Sequence, residues 1–489
     1  MSGWVGFNTA VSGLLGSQKS LYTVSHNITN AETPGYSRQK ASQRATDAFN
    51  LPGIGLLGTG AEVYSIDRIR DSYTDYKYWT ESAPKGEWEV KNKNLEQVEV
   101  LFNEPSDSSF RQYLDDFFTS LENLSTNPSD MSYRADVREK AVAFTKHIND
   151  TAKRLANLKE ELNGTIKTKV DTINDLSHQI GALNKQIYSL EIGGTKANDL
   201  RDKRELLIDE LSKIANVQVN EIKGSENKLN NGKITVSLNG IALVDHMNVT
   251  EMSYKKNGDN VDVEWENGTP LNIKSGELRG LMDMTKGDGQ NGHYRGIPYY
   301  QERLDKFAGT FATIFNNQHM KGEALEGQDS TPDNIAFFTT TDGTTDINAS
   351  NIKVSDDIVS NLNNIAAAAA NNGEEGKEDN ENIKELLSLR HKNDFFDDPD
   401  SKGTPDDYIK SVLSNLAVDG QQSERMKDTQ NLIVENIEKK RESVSGVSLN
   451  EEMQNMVRFN QSYRAAAKML TTMDQILEIT VNRLGLVGR

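Results

Sequence analysis

The sequence predicts an elongated, mainly α-helical chain of several domains with an inserted antiparallel β domain. Apolar residues recur every seven positions near both ends of the chain and again in its middle, which is typical of helices that pack on other helices. From about residue 216 the apolar period changes to two, as expected for strands. Only 35% of the 489 residues are hydrophobic, which favours long water-facing helices over one large core.

Each end of the chain carries one narrow apolar stripe. A strict seven-residue period indicates helix-on-helix packing, whereas a helix docked on a globular core usually shows a broader face with a period of 3.6. Two ordinary amphipathic helices on a core are therefore the less favoured alternative. We predict that the terminal helices form a coiled-coil core that serves as a self-assembly interface. The predicted interface residues are Phe7, Val11, Leu14, Leu21, Ile28, Leu449, Met453, Met456, Tyr463, Leu470, Leu477 and Leu484.

A third heptad run predicts the longest helix. It starts near Ala141 and stops at Gly193, and no proline interrupts the chain between Pro128 and Pro270. Its first apolar row is Ala141, Ile148, Leu155, Leu162, Leu176, Leu183 and Leu190, and its companion row is Ile166, Ile173, Ile180 and Ile187. A shorter helix precedes it, with Phe110, Leu114, Phe117, Leu121 and Leu124 on one face.

The middle of the chain contains two insertions between helical segments. Asn239 and Gly240 separate two alternating runs and predict a tight hairpin within a small antiparallel β domain. After residue 321 the pattern becomes irregular, and we interpret the tract from Ala366 to Ala370, with the polar residues that follow it, as a loop. Helical patterning resumes near Asp406.

These patterns divide the chain into four predicted parts. Helical segments bracket both insertions, as expected when a rod is made from both halves of a chain. The parts are a terminal coiled-coil domain (1–60 with 449–489), a helical rod domain (61–215 with 277–321 and 405–448), an inserted β domain (216–276) and a second, irregular insertion (322–404).

Composition excludes several classes of function. The formal net charge of -18 makes nucleic acid an unfavourable partner. The chain has no cysteine, which removes disulfides, thiolate nucleophiles and cysteine-based metal sites. No apolar run is long enough for a signal peptide or a membrane span, so we expect neither.

One glycine-rich segment matches a nucleotide-binding fingerprint. Gly53, Gly55 and Gly58 have the spacing that brings backbone close to a pyrophosphate at the start of a helix. The residues before this segment are polar rather than a buried strand, and the residues after it alternate as extended chain. We therefore interpret it as a glycine-rich turn.

No other motif carries chemistry convincingly. The segment from Asp398 to Gly403 resembles the start of a calcium loop, but Lys402 occupies a ligand position and Ile409 falls where a bidentate carboxylate belongs. The seven histidines have no metal-binding spacing: His26, His147, His178, His246, His293, His319 and His391. No pair of carboxylates stands out, so we predict no catalytic residue, no cofactor and no metal, and a protein that is not an enzyme.

The segment that follows the first helix resembles the N-terminal signature of the rod, hook and junction proteins of the bacterial flagellum. Physically, it is a helix end that passes through asparagine and Pro-Gly into extended chain. The residues that carry the likeness are Asn27, Asn30, Pro34, Gly35 and Tyr36. Three further stretches, Asn198–Leu207, Ser275–Leu281 and Ser448–Met453, are similar to the hook–filament junction proteins of that superfamily.

The resemblance implies a structural subunit that joins hook to filament and is needed for filament assembly. It also implies secretion through the flagellar type III system without a cleaved signal, and an extracellular place at the hook–filament junction. Expected partners are other copies of the chain, the hook protein, the second junction protein, an export chaperone and, indirectly, the filament cap and flagellin. The alternatives are a hook or distal-rod subunit, or a junction protein whose β insertion serves surface adhesion.

Overall fold

The computed structural model describes residues 2–51, 55–102, 110–222, 232–325, 334–370, 378–397 and 402–482. Long helices stand at both ends and along a rod, and small antiparallel sheets are inserted in the middle, which confirms the predicted fold class. The accessible surface is 26095 Å². A compact monomer of this mass would expose only roughly 18,000 Å², so the molecule is elongated.

The helices of the described residues are α1 Ser2–Thr29, α2 Ser72–Phe102, α3 Phe110–Thr126, α4 Met131–Glu191, α5 Asn198–Ile214, α6 Glu277–Lys286, α7 Ile297–His319, α8 Asp356–Ser360, α9 Glu381–Ser388, α10 Pro405–Ser445 and α11 Leu449–Asn482. Two short 3₁₀ turns occupy Leu362–Asn364 and Leu389–His391. The rod is built from α2, α4, α5, α6, α7 and α10, with α2 packed along α10, α5 and α6.

The strands are β1 Gln39–Ala45, β2 Phe49–Leu51, β3 Gly55–Leu57, β4 Ala61–Arg68, β5 Val217–Glu221, β6 Ile234–Leu238, β7 Ile241–Asp245, β8 Asn248–Val249, β9 Met252–Asn257, β10 Asn260–Trp265, β11 Gly322–Glu323, β12 Phe338–Thr340, β13 Ile352–Val354 and β14 Ala368–Ala369. All pairings among them are antiparallel: β1 with β4, β2 with β3, β9 with β10, β11 with β14, β12 with β13, and a sheet in the order β5-β6-β7-β8.

Helix α4 spans 61 residues, which is about 90 Å at 1.5 Å per residue. The first predicted apolar row is buried from Ala141 to Leu162 and again at Leu176, while the companion row is buried from Ile166 to Ile187. A straight α-helix drifts by about 20° per heptad relative to a seven-residue repeat, so one row cannot face the same neighbours along the whole length. Leu190, at the end of the first row, is accordingly 54% exposed.

The β insertion lies against α4 and closes on itself. Asn239 and Gly240 both have positive φ, as a tight hairpin between β6 and β7 requires, and this confirms the predicted turn. Asn174 of α4 exchanges two hydrogen bonds with the backbone of Met252, of 2.8 and 2.9 Å. The backbone N–H of Asn216 donates to the carbonyl of Ser275 at 3.2 Å, so the insertion leaves and rejoins the rod at one point.

The segment after α7 is more regular than the sequence indicated. Ala368 and Ala369 form strand β14, and Ala368 is buried, as are Ala366, Ala367 and Ala370, so the interpretation of the Ala366–Ala370 tract as a loop was wrong. The polar residues that follow, 371–377, lie outside the described residues. A core of phenylalanines joins this segment to α3, α4 and α7: Phe110, Phe117, Phe144, Phe307, Phe311, Phe315, Phe337, Phe338, Phe395 and Phe396.

Side chains of the rod also hold this segment through its backbone. The amide of Asn316 donates to the carbonyl of Phe338 at 2.7 Å and accepts the N–H of Phe338 at 2.8 Å. Arg134, fully buried, donates to the carbonyls of Pro128 and Ile365 at 2.7 and 2.8 Å. Burial lowers the pKa of this guanidinium to about 10, and carbonyl oxygens rather than a carboxylate satisfy it.

The β1–β4 hairpin packs on α1. Strand β4, Ala61–Arg68, was assigned to the rod by the predicted border at residue 60, but it pairs with β1 along its whole length. Because a strand pair forms one unit, we propose that the border of the terminal part lies near Arg68 instead.

Close helix packing in the rod depends on glycine, which gives a first prediction. A Cβ on Gly86 of α2 would overlap the carbonyl of Lys213, and one on Gly280 of α6 would lie 2.8 Å from the carbonyl of Glu87. We expect Gly86→Ala and Gly280→Ala each to lower the free energy of unfolding by roughly 1–3 kcal/mol, because backbone must move.

Gly164 of α4 is the matched control, since nothing lies within 4 Å of the added methyl. We expect Gly164→Ala to raise the free energy of unfolding by roughly 0.5–1 kcal/mol, the ordinary helix gain. Urea unfolding followed by circular dichroism measures all three variants. Equal behaviour of the three would contradict the close packing.

A buried histidine gives a pH prediction. In His319, Nδ1 donates to the carbonyl of Ile335 at 2.8 Å and Nε2 accepts the N–H of Ala366 at 3.0 Å, so the ring is neutral. Burial lowers its pKa to about 4. As the pH falls from about 6.5 to 4, His319 is protonated in the unfolded chain but stays neutral in the folded chain. This difference lowers the free energy of unfolding by up to roughly 3 kcal/mol.

We expect His319→Asn to flatten this loss, and exposed His391→Asn to keep the wild-type slope. Denaturant unfolding at a series of pH values from 7.5 to 4.5 measures it, with hydrogen exchange of residues 334–370 as the local readout. A wild-type slope in the His319 variant would show that this ring does not carry the effect.

Candidate assembly interface

Helices α1 and α11 pack antiparallel against each other. A Cβ on Gly13 would lie 3.9 Å from the Cβ of Ala466. Fourteen residues later on α1, the amide of Asn27 donates to Glu452, which stands fourteen residues earlier on α11. The register is therefore constant between these two points, and the two ends of the chain form one helical pair.

The buried face of α1 consists mostly of small residues and packs on two neighbours: on α11 at Gly13 and Asn27, and on the β1–β4 hairpin at Gly16 and Ser20. Small side chains let two helix backbones approach closely, and the hydroxyls of Ser20 and Thr23 bond back to carbonyls of their own helix at 2.9 and 3.1 Å. The buried residues of this face are Ala10, Gly16, Ser17, Ser20, Thr23, Val24 and Asn27. The spacing of large apolar residues in the sequence does not reveal this face.

The predicted interface residues flank this contact. Those that are half-buried are Phe7, Val11, Leu14, Leu21, Ile28, Tyr463, Leu470 and Leu477, and those that are exposed are Leu449, Met453 and Met456. Leu484 lies outside the described residues. Among side chains described on α11, Glu452 is the buried one, so most of this helix remains open to solvent.

Asn27 joins three segments with a fully bonded amide. Its Nδ2 donates to the carbonyl of Gln39 at 2.8 Å and to Oε2 of Glu452 at 3.2 Å. Its Oδ1 accepts the N–H of Gln39 at 2.9 Å and the hydroxyl of Tyr36 at 2.8 Å. An amide has four hydrogen-bonding sites of this kind, and all are used.

The other residues of the N-terminal signature shape the turn after α1. Asn30 donates to the carbonyl of His26 at 3.0 Å and so caps the helix end. Because the Tyr36 hydroxyl donates to Asn27, the Nδ1–H of His26 donates to Tyr36, at 2.9 Å. Gly35 has a φ of 75° and is tightly packed against Leu206 of α5, whereas Pro34 is exposed.

An ion pair then links this turn to the start of α11. Nη2 of Arg38 lies 2.8 Å from Glu452, and Nη1 lies 2.7 Å from the more exposed Glu451. The backbone N–H of Arg38 donates to the carbonyl of Ser445, the last residue of α10, at 2.9 Å. The N-terminal signature and the C-terminal stretch around residue 451 therefore meet in space.

The acidic face of α5 completes this network. Ser37 donates to Asp202 through its N–H and its hydroxyl, at 3.0 and 2.8 Å. Arg68 of β4 pairs with Asp202 at 2.7 Å and with Glu205 at 2.8 Å, and Arg70 pairs with Glu205 at 2.6 Å. Three of the stretches that resemble flagellar proteins thus form one site.

The same network reaches α2 and α10. Arg441, near the end of α10, lies 2.7 Å from Asp209 of α5 and 2.8 Å from Asp75 of α2. The indole N–H of Trp79 donates to Asp209 at 2.6 Å. We call the set of Arg68, Arg70, Asp75, Asp202, Glu205, Asp209 and Arg441 the joint, because it fixes the terminal helices to the rod.

Protonation in the joint follows from burial and pairing. Burial raises the pKa of Asp202 and of Asp209, against the pull of Arg68 and Arg441. Burial would also raise the pKa of Glu205, but Arg70 and Arg68 outweigh it and lower that pKa. The sequence signal for the joint was the spacing of carboxylates at 202, 205 and 209 on one face of a helix.

The motifs tested for chemistry have structural settings. Gly55 begins β3 of a small hairpin rather than a helix, which agrees with a turn, while Gly53 lies outside the described residues. Residues 398–401 of the calcium-like segment, which include Asp398 and Asp400, also lie outside them. Within the described ranges no cluster of three His, Cys, Asp or Glu side chains has metal-binding geometry. No described helix is long and apolar enough to cross a membrane.

Comparison with known proteins identifies the family. Residues 95–335 match the family model described as "Flagellar hook-associated protein FlgK helical domain", and residues 440–484 match "Flagellar basal body rod FlgEFG protein C-terminal". The chain is 31% identical to flagellar hook-associated protein 1 of Bacillus subtilis (strain 168), with 100% of both chains covered. The chain belongs to the flagellar hook-associated protein 1 family.

Other relatives agree with this assignment. The flagellar hook-associated protein 1 of Escherichia coli (strain K12) is 24% identical over 97% of this chain and 99% of its own. The solved structure of the flagellar hook junction protein FlgK from Burkholderia pseudomallei has the same fold, with a TM-score of 0.63 at 14% identity over 76% of this chain and 100% of that one.

Membership settles the broad function. Flagellar hook-associated protein 1 chains are structural proteins of the hook–filament junction, so this chain is a structural protein of the flagellum and not an enzyme. Membership also implies that the chain assembles with other axial proteins of the flagellum. The helical-domain match is to a hook-associated protein, so it gives no support to the alternative of a hook or distal-rod subunit.

The buried carboxylate of Glu452 gives a prediction for the terminal pair. We expect Glu452→Gln to weaken the docking of α11 on α1 by roughly 2 kcal/mol, because it removes the buried charge that Arg38 pairs with. Glu451→Gln is the control: that carboxylate pairs with the same arginine but is 59% exposed, so we expect less than roughly 0.5 kcal/mol.

Hydrogen exchange of the amides of α1 and α11 measures docking in both variants. Equal exchange rates in the two variants would mean that the buried pair does not hold the helices together.

Proposed function

We propose that this hook-associated protein 1 is the adaptor on which the filament is laid. Its subunits assemble at the distal end of the hook, and the ring or helix that they form carries the second junction protein and then flagellin. The observation that carries the proposal is the open helical pair α1–α11, held to the rod by the joint, in a chain of the hook-associated family.

The self-assembly interface in this proposal is the exposed apolar surface of the pair. Val457 is 58% exposed, Met453 54% and Leu449 48%, and Tyr22 on α1 is 69% exposed. Apolar surface on this scale is unfavourable in water and favours contact with another protein. Neighbouring subunits in an open helical assembly would cover it through heterologous contacts.

The partners and the route of export belong to the same proposal. The expected partners are other copies of this chain, the hook protein, the second junction protein and an export chaperone, with the filament cap and flagellin in indirect contact. The subunit would reach its extracellular site through the flagellar type III system, without a cleaved signal peptide. The family assignment supports this route and these partners.

Surface adhesion by residues 216–276 stays a separate prediction. Deleting these residues and measuring the attachment of cells to surfaces tests it. Unchanged attachment would contradict the adhesion alternative.

Immunogold labelling of intact flagella tests the adaptor proposal. We expect one narrow band of label where the hook meets the filament. Label along the whole hook, or none outside the cell, would contradict the adaptor and leave only a structural role in the flagellum.

An exposed methionine gives a prediction about assembly. Met456 of α11 is 37% exposed, and Met456→Glu should prevent incorporation into flagella because a charge would be buried at the subunit contact. Val142 of the rod helix α4 is 38% exposed, so Val142→Glu is the matched control and should be incorporated normally.

Immunogold labelling at the hook–filament boundary and swimming assays measure incorporation. Thermal unfolding of both purified variants shows that the rod is intact. Normal incorporation of Met456→Glu would contradict the assignment of this face to the interface.

A further inference from the structure

Helix α11 has an exposed face on the side opposite α1, which includes Met453 and Val457 of the apolar surface described above. We call it the outer face; its residues are Asn450, Met453, Val457, Gln461, Arg464 and Lys468, all exposed and spaced by three or four. Its first half is apolar at Met453 and Val457, and its second half is basic. Arg464 and Lys468 stand one turn apart and form no ion pair with any described residue.

Unpaired cations next to exposed apolar residues favour a partner that is acidic and partly apolar. The distribution of charge in this chain supplies one. Residues 1–60 and 449–489 together contain nine Lys and Arg against six Asp and Glu, whereas the rest of the chain contains 46 against 67. The terminal part is therefore weakly basic and the body is strongly acidic, so the end of one copy is complementary in charge to the body of another.

The acidic body has a matching stripe on α10. We call it the acidic flank; its residues are Glu424, Asp428, Glu435, Glu438 and Glu442, which follow one side of the helix at spacings of three, four or seven. All are exposed except Glu438, which is half-buried. Among the residues that the structure describes, Glu435 pairs with exposed Lys439 of its own helix alone, and Leu432 beside the stripe is 61% exposed.

The two surfaces agree in length and in kind. From Asn450 to Lys468 on α11, and from Glu424 to Glu442 on α10, the rise is about 27 Å. Each surface combines an apolar spot with charges, and the charges have opposite sign. Within one subunit α11 packs on α1 and α10 packs on α2, and both surfaces remain exposed.

We infer that the outer face of α11 in one subunit lies on the acidic flank of α10 in the next copy of this chain. The inference rests on the proposed self-assembly and names the surfaces that meet. The contact is heterologous, because a face meets a flank rather than itself, and such a contact repeats without closing a dimer. Exposed ion pairs contribute only about 0.2–1 kcal/mol each, so the contact acts through repetition and weakens with salt.

The absence of cysteine from the chain allows a direct test. Asn431 lies within the acidic flank and Gln461 within the outer face, and neither carries charge. Two copies, one with Asn431→Cys and one with Gln461→Cys, are produced together in the bacterium and its flagella are treated with a short thiol crosslinker. We expect a mixed dimer, and no dimer when Gly164→Cys on α4 replaces the Asn431 variant.

Charge exchange gives the second test. Arg464→Glu with Lys468→Glu, or Asp428→Lys with Glu435→Lys, should each lower incorporation into flagella roughly tenfold, and a chain with all four changes should regain it. The control reverses exposed Glu160 and Glu161 of α4 to Lys and should be incorporated normally. Thermal unfolding of each purified variant excludes a folding defect as the cause.

The outcomes separate this inference from the adaptor proposal. Flagella that carry the protein at the hook–filament boundary but give no mixed dimer, or a fourfold variant that does not regain incorporation, would overturn the inference alone. Crosslinking of Gln461→Cys to another flagellar protein, instead of to Asn431→Cys, would also overturn it. Absence of the protein from the boundary would overturn the adaptor proposal itself.

Discussion

Four separate stretches of the chain meet at the acidic face of α5, and the position of the terminal helices depends on how the buried charges pair there. Arg68 and Arg70 arrive from the N-terminal hairpin and Arg441 from the end of α10, while Asp202 and Glu205 project from α5. A buried charge that loses its partner costs several kcal/mol, so an arrangement of this kind tolerates little displacement. The terminal helices are therefore attached to the rod by a stiff connection rather than by a flexible link.

Hydrophobic period was enough to predict the long helices and the β insertion, because those elements repeat the same contact many times along their length. It could not predict the face by which α1 meets α11. That face includes Gly6, Gly13 and Asn27, and small or polar side chains give no hydrophobic signal. The ion pair of Arg38 with Glu452 was equally hidden, since the two residues are 414 positions apart and sequence spacing says nothing about such a distance.

In the segment from 322 to 404, the sequence shows no hydrophobic period for a different reason. Its described helices and strands are only two to eight residues long, too short for a period to appear. Its order comes instead from pairs of adjacent phenylalanines, Phe337 with Phe338 and Phe395 with Phe396, which insert into the rod. Large aromatic side chains bury much surface per residue, so a few of them organise a segment that has little regular structure.

The β insertion leaves the rod at Asn216 and returns at Ser275, and these two residues are hydrogen-bonded to each other. The insertion therefore enters and leaves the rod as a tight turn does, while its strands β7 to β10 cover the apolar side of α4. Length can change at the hairpin tips at small cost, since loop closure adds only about 0.6 kcal/mol for each doubling of length. Evolution, or an engineer displaying a foreign peptide, can therefore extend the hairpin tips, provided that the strands that cover α4 are kept.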